Sequence, residues 1–441
     1  KSGSIFRGCG IVNLLHPIFW GKKTKSSGRC DVCNCSAPIL VEYYMYEIRT
    51  LIFMRTRVLL LDGHTIQVLP FLKAYAALNV EVTIFCENKL SYGYFSRYNK
   101  HTVICPPIAE NVIAYKTFLL DYIRKYPQDM VIPLFNDTAE FASKFKQEIE
   151  QYGCKVEIPD WEVFIKGHDK ESLMEICKFL GVPHPRTANP DKMGYEEAIN
   201  YVGYPCLIKP NLSAGAKGIK IIRNKADFDN YFQDITSHFG KSTIQEFIPQ
   251  TGKQLKVQIY RAENGQVVAS SCYEKCRYYP IDGGTSTCNK VVKRDDLVVR
   301  YSKILDYLNW VGIADFDCIE DPRSNEVLLM EINPRVPGTI KASFLAGVNI
   351  AEIMLCHVTG MPYKKYEYKT DFYMRNLATE ILWFFASRER FKSKPCWFKF
   401  WGFDLFYVDG SWGDPMPMIA GVLSGIKKMA NSDFRKSKRK S

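Results

Sequence analysis

Apolar positions along this chain fall into two regimes. Between residues 57 and 158, short apolar runs at 58–61, 80–85 and 130–134 alternate with helical spacing at 67–78, 112–125 and 138–152. Such alternation predicts a parallel sheet covered by helices. Farther on, short strands are expected at 206–209, 219–222, 243–247, 255–261 and 266–271. A helix near 298–308 and strands at 314–319 and 327–332 follow. Closely spaced strands joined by short glycine turns predict an α+β region with largely antiparallel sheets. Between the regimes, Leu173, Ile176, Cys177 and Leu180 recur at helical spacing. Asp169 supplies an N-cap and Gly181-Val182-Pro183 a stop, which predicts a helix over 169–180.

The ends read differently. Residues 1–55 lack clean periodicity and read as an extension outside the fold. A sharper alternative there is a small zinc site at Cys30, Cys33 and Cys35, with Cys9 or His16 as fourth ligand. From about residue 363 the composition turns aromatic and basic, which marks a second boundary. The expected division is 1–55, 56–158, 159–362 with a smaller lobe at about 195–250, and 363–441. No internal repeat is visible. The first turn, LDGHTIQ, has one glycine and does not support dinucleotide binding.

Charge changes this picture little. The 441 residues carry a net +12, but residues 1–55 account for +5 and residues 427–441 for +6. The middle of the chain is close to neutral, so it needs no nucleic-acid partner. Fifteen cysteines, several inside apolar runs such as VTIFCE, fit reduced, buried thiols and a cytoplasmic setting. No apolar run is long enough to span a bilayer, and residues 11–20 lack the features of a signal peptide. The aromatic and cationic stretch over residues 381–441 is a candidate for peripheral contact with an anionic membrane at its inner face. A packed C-terminal subdomain is the competing reading.

The strongest chemical signal lies between Asp317 and Arg335. The segments ADFDCI and EVLLMEINPR read as a hairpin. Strand alternation puts Glu331 and Asn333 on one face, which Asp317 can join from the partner strand. Two carboxylates and an amide oxygen form a hard site suited to Mg²⁺ and substrate phosphates. Arg335 adds a fixed cation for a transferring phosphoryl group. Acids within VLLMEI are costly unless paired or metal-bound. Asp315 shares that face as an accessory group. Lys209, within CLIKP, needs an anionic partner for the same reason.

MEINPR after a hairpin, YPCLIKP before a glycine-containing loop, and a lysine ahead of a GVP helix end together resemble the ATP-grasp superfamily. The similarity is to its carbamoyl-phosphate synthase and carboxylate–amine ligase branch, and runs through about residues 57–360. It implies a parallel-sheet α/β domain preceding a two-lobed ATP-grasp fold. Lys170 and Lys209 then resemble the phosphate-binding cations, and Lys209 and Arg335 the catalytic ones. The loop 211–218, with Gly215 and Gly218, corresponds to the cover over the triphosphate. Glu246, Phe247 and Ile248 resemble the segment beneath the adenine. Gln254 stands where a ribose-binding glutamate is usual. Residues 279–287, with Lys290, resemble a substrate-side loop. Asp317, Glu331 and Asn333 resemble the metal ligands.

The resemblance implies ATP and two Mg²⁺ ions, with Mn²⁺ as a substitute. It also implies a small carboxylate activated as an acyl phosphate, and an amine or similar nucleophile that attacks it. No histidine is assigned a role. The alternatives are a non-catalytic nucleotide binder, which Gln254 favours, and a membrane-surface interaction protein.

Overall fold

The computed structural model describes residues 37–212, 217–281, 284–411, 413–421 and 423. The chain divides into two compact units, residues 1–55 and 56–441. Of the first, the helix Ala37–Met54 is described. Cys9, His16 and the Cys30, Cys33 and Cys35 cluster lie outside the described residues. All that follows concerns the second unit.

Strands β1 (Arg57–Leu60), β2 (Glu81–Cys86), β3 (His101–Ile104), β4 (Met130–Ile132) and β5 (Lys155–Val156) form a parallel sheet in the order β3-β2-β1-β4-β5. Leu59, Phe85 and Val131 are buried on it beneath Tyr115, Leu119 and Ile123, which recur every fourth residue of the helix Val112–Lys125. The side chain of Asn111 accepts from the Ala114 amide and starts that helix, and Arg124 and Lys125 complement its C-terminal dipole. The helix expected over 138–152 breaks at Phe145 into Asn136–Lys144 and Lys146–Glu150.

A small lobe follows. Strands β6 (Thr187–Ala188), β7 (Cys206–Pro210), β8 (Lys220–Ile222) and β9 (Ser242–Glu246) are ordered β6-β9-β7-β8 and pair antiparallel. Two helices absent from the sequence reading, Tyr195–Val202 and Lys225–Phe239, cover them. Ala198, Val202, Phe228, Phe232 and Ile235 pack on Cys206, Ile208 and Ile244.

The largest sheet has the order β14-β13-β10-β11-β12-β15-β16. Its strands are β10 (Gln254–Arg261), β11 (Val267–Tyr279), β12 (Thr285–Val292), β13 (Gly312–Glu320), β14 (Val327–Asn333), β15 (Tyr373–Arg375) and β16 (Leu405–Tyr407). Leu255, Val257, Ile259, Phe316 and Leu329 are buried with Leu297, Tyr301 and Ile304 of the helix Asp295–Leu308. The alternate positions of β10, β13 and β14 face the other way and carry polar groups.

Two expectations need correction here. The strand placed at 266–271 continues to Tyr279, and the supposed substrate-side loop runs into β12, whose Thr287 hydroxyl donates to Glu380. The polar run TSTCNK hid that strand. The composition change at residue 363 also opens no separate unit, because β15 pairs with β12 and β16 with β15 in the same sheet. A buried charge cluster fastens this region. The Arg277 guanidinium donates to both oxygens of Glu380 at 2.9 and 2.6 Å, and Arg375 adds a bond at 2.8 Å. The remaining donors reach the carbonyls of Pro395, Trp397 and Lys399.

Candidate active site

The polar face of β13 and β14 gathers the residues singled out in the sequence. Asp317 is the register partner of Glu331, and Asp315 of Asn333. Lys256 of β10 lies opposite Asp317 on the other side of β13. Its ammonium group is 2.8 Å from both Asp315 and Asp317. Lys275 of β11 reaches across β10 to the second oxygen of Asp317 at 2.7 Å. The Asn333 amide donates to Asp317 at 2.9 Å and accepts from Arg335 at 3.2 Å. Arg335 is oriented further by Asn136, at the start of the helix Asn136–Lys144.

Burial alone would raise the Asp317 carboxyl, yet Lys256 and Lys275 hold it well below the usual carboxylate range. Burial pushes Asp315 up, with Lys256 opposing. Glu331 is the open member of the set. Its side chain is 34% exposed, against 15% for Asp317 and none for Asp315.

Lys170 stands 3.8 Å from Glu331, buried at the start of the helix Lys170–Leu180. The Asp169 side chain caps that helix by accepting from Ser172. A cation in a first helical turn opposes the helix dipole, so this position favours an anionic ligand nearby. The Lys170 amide donates to the carbonyl of Asn211, two residues beyond Lys209. That bond joins the end of β7 to the helix and brings the two lysines to one region. Lys209 is buried and donates to Gln245 at 2.9 Å. Burial pulls its ammonium group down to about 8, with Glu331 and Asp317 opposing and Lys170 reinforcing.

The nucleotide-side residues are only partly free. Gly218 has φ +74°, and a Cβ there would sit 2.8 Å from Phe239 and Pro210, so the turn requires glycine. Gly215 lies outside the described residues. The Glu246 amide donates to the Arg186 carbonyl. Its side chain bridges Arg186 and Arg323 at 3.0 and 2.7 Å. The Phe247 amide donates to the Pro205 carbonyl. Ile248 is buried with Ile319, Leu328 and Met330 in a small apolar cluster beside the connector. Gln254 donates to Gln250 at 2.9 Å.

Three residues at this site escaped the sequence reading. Lys256 and Lys275 carry a signal of the kind that marked Lys209, a lysine inside a strand pattern. His168 ends the helix Trp161–His168, just before Lys170. Burial lowers its imidazole, and Lys170 acts in the same direction.

These contacts test the expected metal set. Both oxygens of Asp317 and the amide oxygen of Asn333 already face cationic groups. Glu331, with its open side chain, fits a divalent ion shared with phosphate oxygens. A cavity of about 250 Å³ opens elsewhere, lined by Lys146, Glu157, Glu263 and His357, and none of the residues above borders it.

Residues 263–380 match the family described as ATP-grasp in the biosynthetic pathway with Ter operon. The C-terminal section of the carbamoyl phosphate synthase large chain of Methanopyrus kandleri is 27% identical over 198 residues, 42% of this chain and 36% of that protein. The D-aspartate ligase of Enterococcus faecium is 27% identical over 255 residues, 53% of this chain and 59% of that one. The match thus spans about a third and somewhat over half of these relatives. Among solved structures, the biotin carboxylase domain of the Hydrogenobacter thermophilus 2-oxoglutarate carboxylase, in complex with MgADP, ADP and bicarbonate, has a TM-score of 0.60. It is 16% identical and covers 72% of this chain and 73% of that domain. The chain has the ATP-grasp fold. Its sequence matches fall among ATP-grasp proteins of the carbamoyl phosphate synthase and carboxylate–amine ligase branch.

Proposed function

We propose that this chain is an ATP- and magnesium-dependent ligase that activates a small carboxylate for attack by an amine or similar nucleophile. One observation carries the reading: the open carboxylate of Glu331 lies opposite Asp317, among Lys170, Lys209 and Arg335. Lys170 and Lys209 would grip the triphosphate from the helix start and the small lobe. Their desolvated charge acts strongly on phosphate because little water screens it. Glu331 would hold a magnesium ion, which would supply positive charge beside the phosphates.

The substrate carboxylate oxygen attacks the γ-phosphorus, a P–O bond forms, and the bond to the β-phosphate oxygen breaks to release ADP. The nucleophile then attacks the acyl carbon, phosphate leaves, and the amine gives up a proton. Arg335, held by Asn136 and Asn333, would meet charge on the transferring group. Such transfer needs positioning more than a protein nucleophile. The test is a screen of acids and amines for stimulated ADP release, repeated with Glu331→Gln. Stimulation by an acid–amine pair, lost in the variant, is the expected result. No stimulated release, or release unchanged in the variant, would remove the proposal.

A second reading concerns where the chain works. Phe385, Phe391, Phe398, Trp401 and Phe403 are each exposed, with Phe403 wholly so. Arg388, Lys392 and Lys394 are exposed among them. Aromatic tips among cations suit an anionic lipid surface. Cosedimentation with vesicles of anionic and of neutral lipid, using Trp401→Ser with Phe403→Ser, tests it. Equal sedimentation of the variant and the unaltered chain would end this reading. Truncation at residue 388 is a poorer test, since it removes carbonyl partners of Arg277 and Arg375.

A further inference from the structure

We infer that Lys256 and Lys275 take the place of one divalent cation, so that this site holds one metal ion per bound nucleotide. The inference rests on the ATP-binding reading above. Lys256 bridges Asp315 and Asp317, and Lys275 closes on the other oxygen of Asp317. The Lys256 separations of 2.8 Å are those of charge-assisted hydrogen bonds, and Lys275 forms an ion pair at 2.7 Å. The Asn333 amide nitrogen also points at Asp317, and its oxygen at Arg335. A metal ligated by Asp317 would have to displace ammonium groups from a buried carboxylate.

Charge balance points the same way. The cluster sets three carboxylates, Asp315, Asp317 and Glu331, against five cations, Lys170, Lys209, Lys256, Lys275 and Arg335. It thus carries two positive charges in excess. A fully ionised triphosphate brings four negative charges, and one divalent ion closes the balance. A second ion would leave two uncompensated charges in a poorly hydrated site, which is unfavourable. Glu331 is the carboxylate that remains open for the ion.

The experiment titrates Mn²⁺ by electron paramagnetic resonance into the full chain with a non-hydrolysable ATP analogue, and measures analogue binding separately. One bound Mn²⁺ per bound analogue is expected, and Glu331→Gln should weaken that ion at least tenfold. Asp317→Asn should still bind one ion per bound analogue. Two ions per analogue in the unaltered chain, or loss of the ion in Asp317→Asn while the analogue still binds, would overturn the inference alone. A chain that binds no analogue would overturn the functional proposal with it.

Discussion

Two charge clusters sit on the largest sheet, and β11 contributes to both. Lys275 serves the site around Asp317. Arg277, beyond a β-bulge, serves the cluster around Glu380. The Glu380 cluster is closed: its side chains are at most 2% exposed, and backbone carbonyls take the donors that Glu380 leaves over. The Asp317 cluster is open on one side. Glu331 is partly exposed, one oxygen of Asp315 has no hydrogen-bond partner, and Lys209 is held below its ordinary protonation range. Closed clusters fasten structure, whereas open ones keep a valence for a ligand.

The largest effect that can break this contrast is on stability. Glu380→Ala strands two buried guanidinium groups, and should cost about 3–5 kcal/mol in denaturant unfolding. A loss below about 1 kcal/mol would show that this cluster is not a fastener. Next, Glu331→Gln should lower ATP turnover about 10²–10³-fold, on the scale of one lost preorganised electrostatic contact, and change stability by less than about 1 kcal/mol. Paired unfolding and kinetic measurements check both halves.

A smaller effect should appear with pH. Lys209 titrates near 8 in the free protein, well below its ordinary value of 10.5. Analogue affinity should therefore fall about fivefold between pH 8 and 9 as the charge is lost. Free-protein stability should move the other way, rising between pH 8 and 10.5, because the unfolded chain binds more protons there. Lys209→Met should flatten both dependences. Against its burial, Glu157 and Glu263 hold the His357 imidazole up at about 9. Its contribution to stability is present below about pH 6.5 and lost as pH rises through 9, so the Lys209 effect is read as a difference between variant and unaltered chain. The smallest effect belongs to Arg277→Lys, which keeps the charge but loses the bidentate geometry. It should cost about 0.5–1 kcal/mol, measured by unfolding.

The contrast also explains what the sequence could tell. Asp317, Glu331 and Lys209 stand out because each interrupts an apolar strand, and isolated charge in such a run demands an explanation. Lys256 obeys the same logic but sits in a strand where every second residue is polar, so alternation masks it, and Lys275 lies beyond the expected end of its strand at residue 271. The strand β12 was hidden for a related reason, since its TSTCNK run lacks the apolar pattern of a strand. The C-terminal attachment was illegible because Arg277 and Glu380 lie 103 residues apart and meet only through tertiary packing. The helix 169–180 and the parallel domain were legible because cap, stripe and stop agree locally.

The connector between the small lobe and β10 carries one more consequence. At Gly252 a Cβ would lie 1.8 Å from the carbonyl oxygen of Glu320, at the end of β13. The adjoining Lys253 carbonyl accepts from the Glu320 amide. A missing methyl group thus lets the chain press against the hairpin that bears Asp317 and Glu331. Any larger residue would prise the lobe carrying Lys209 away from that hairpin and spread the phosphate grip without touching one charged side chain.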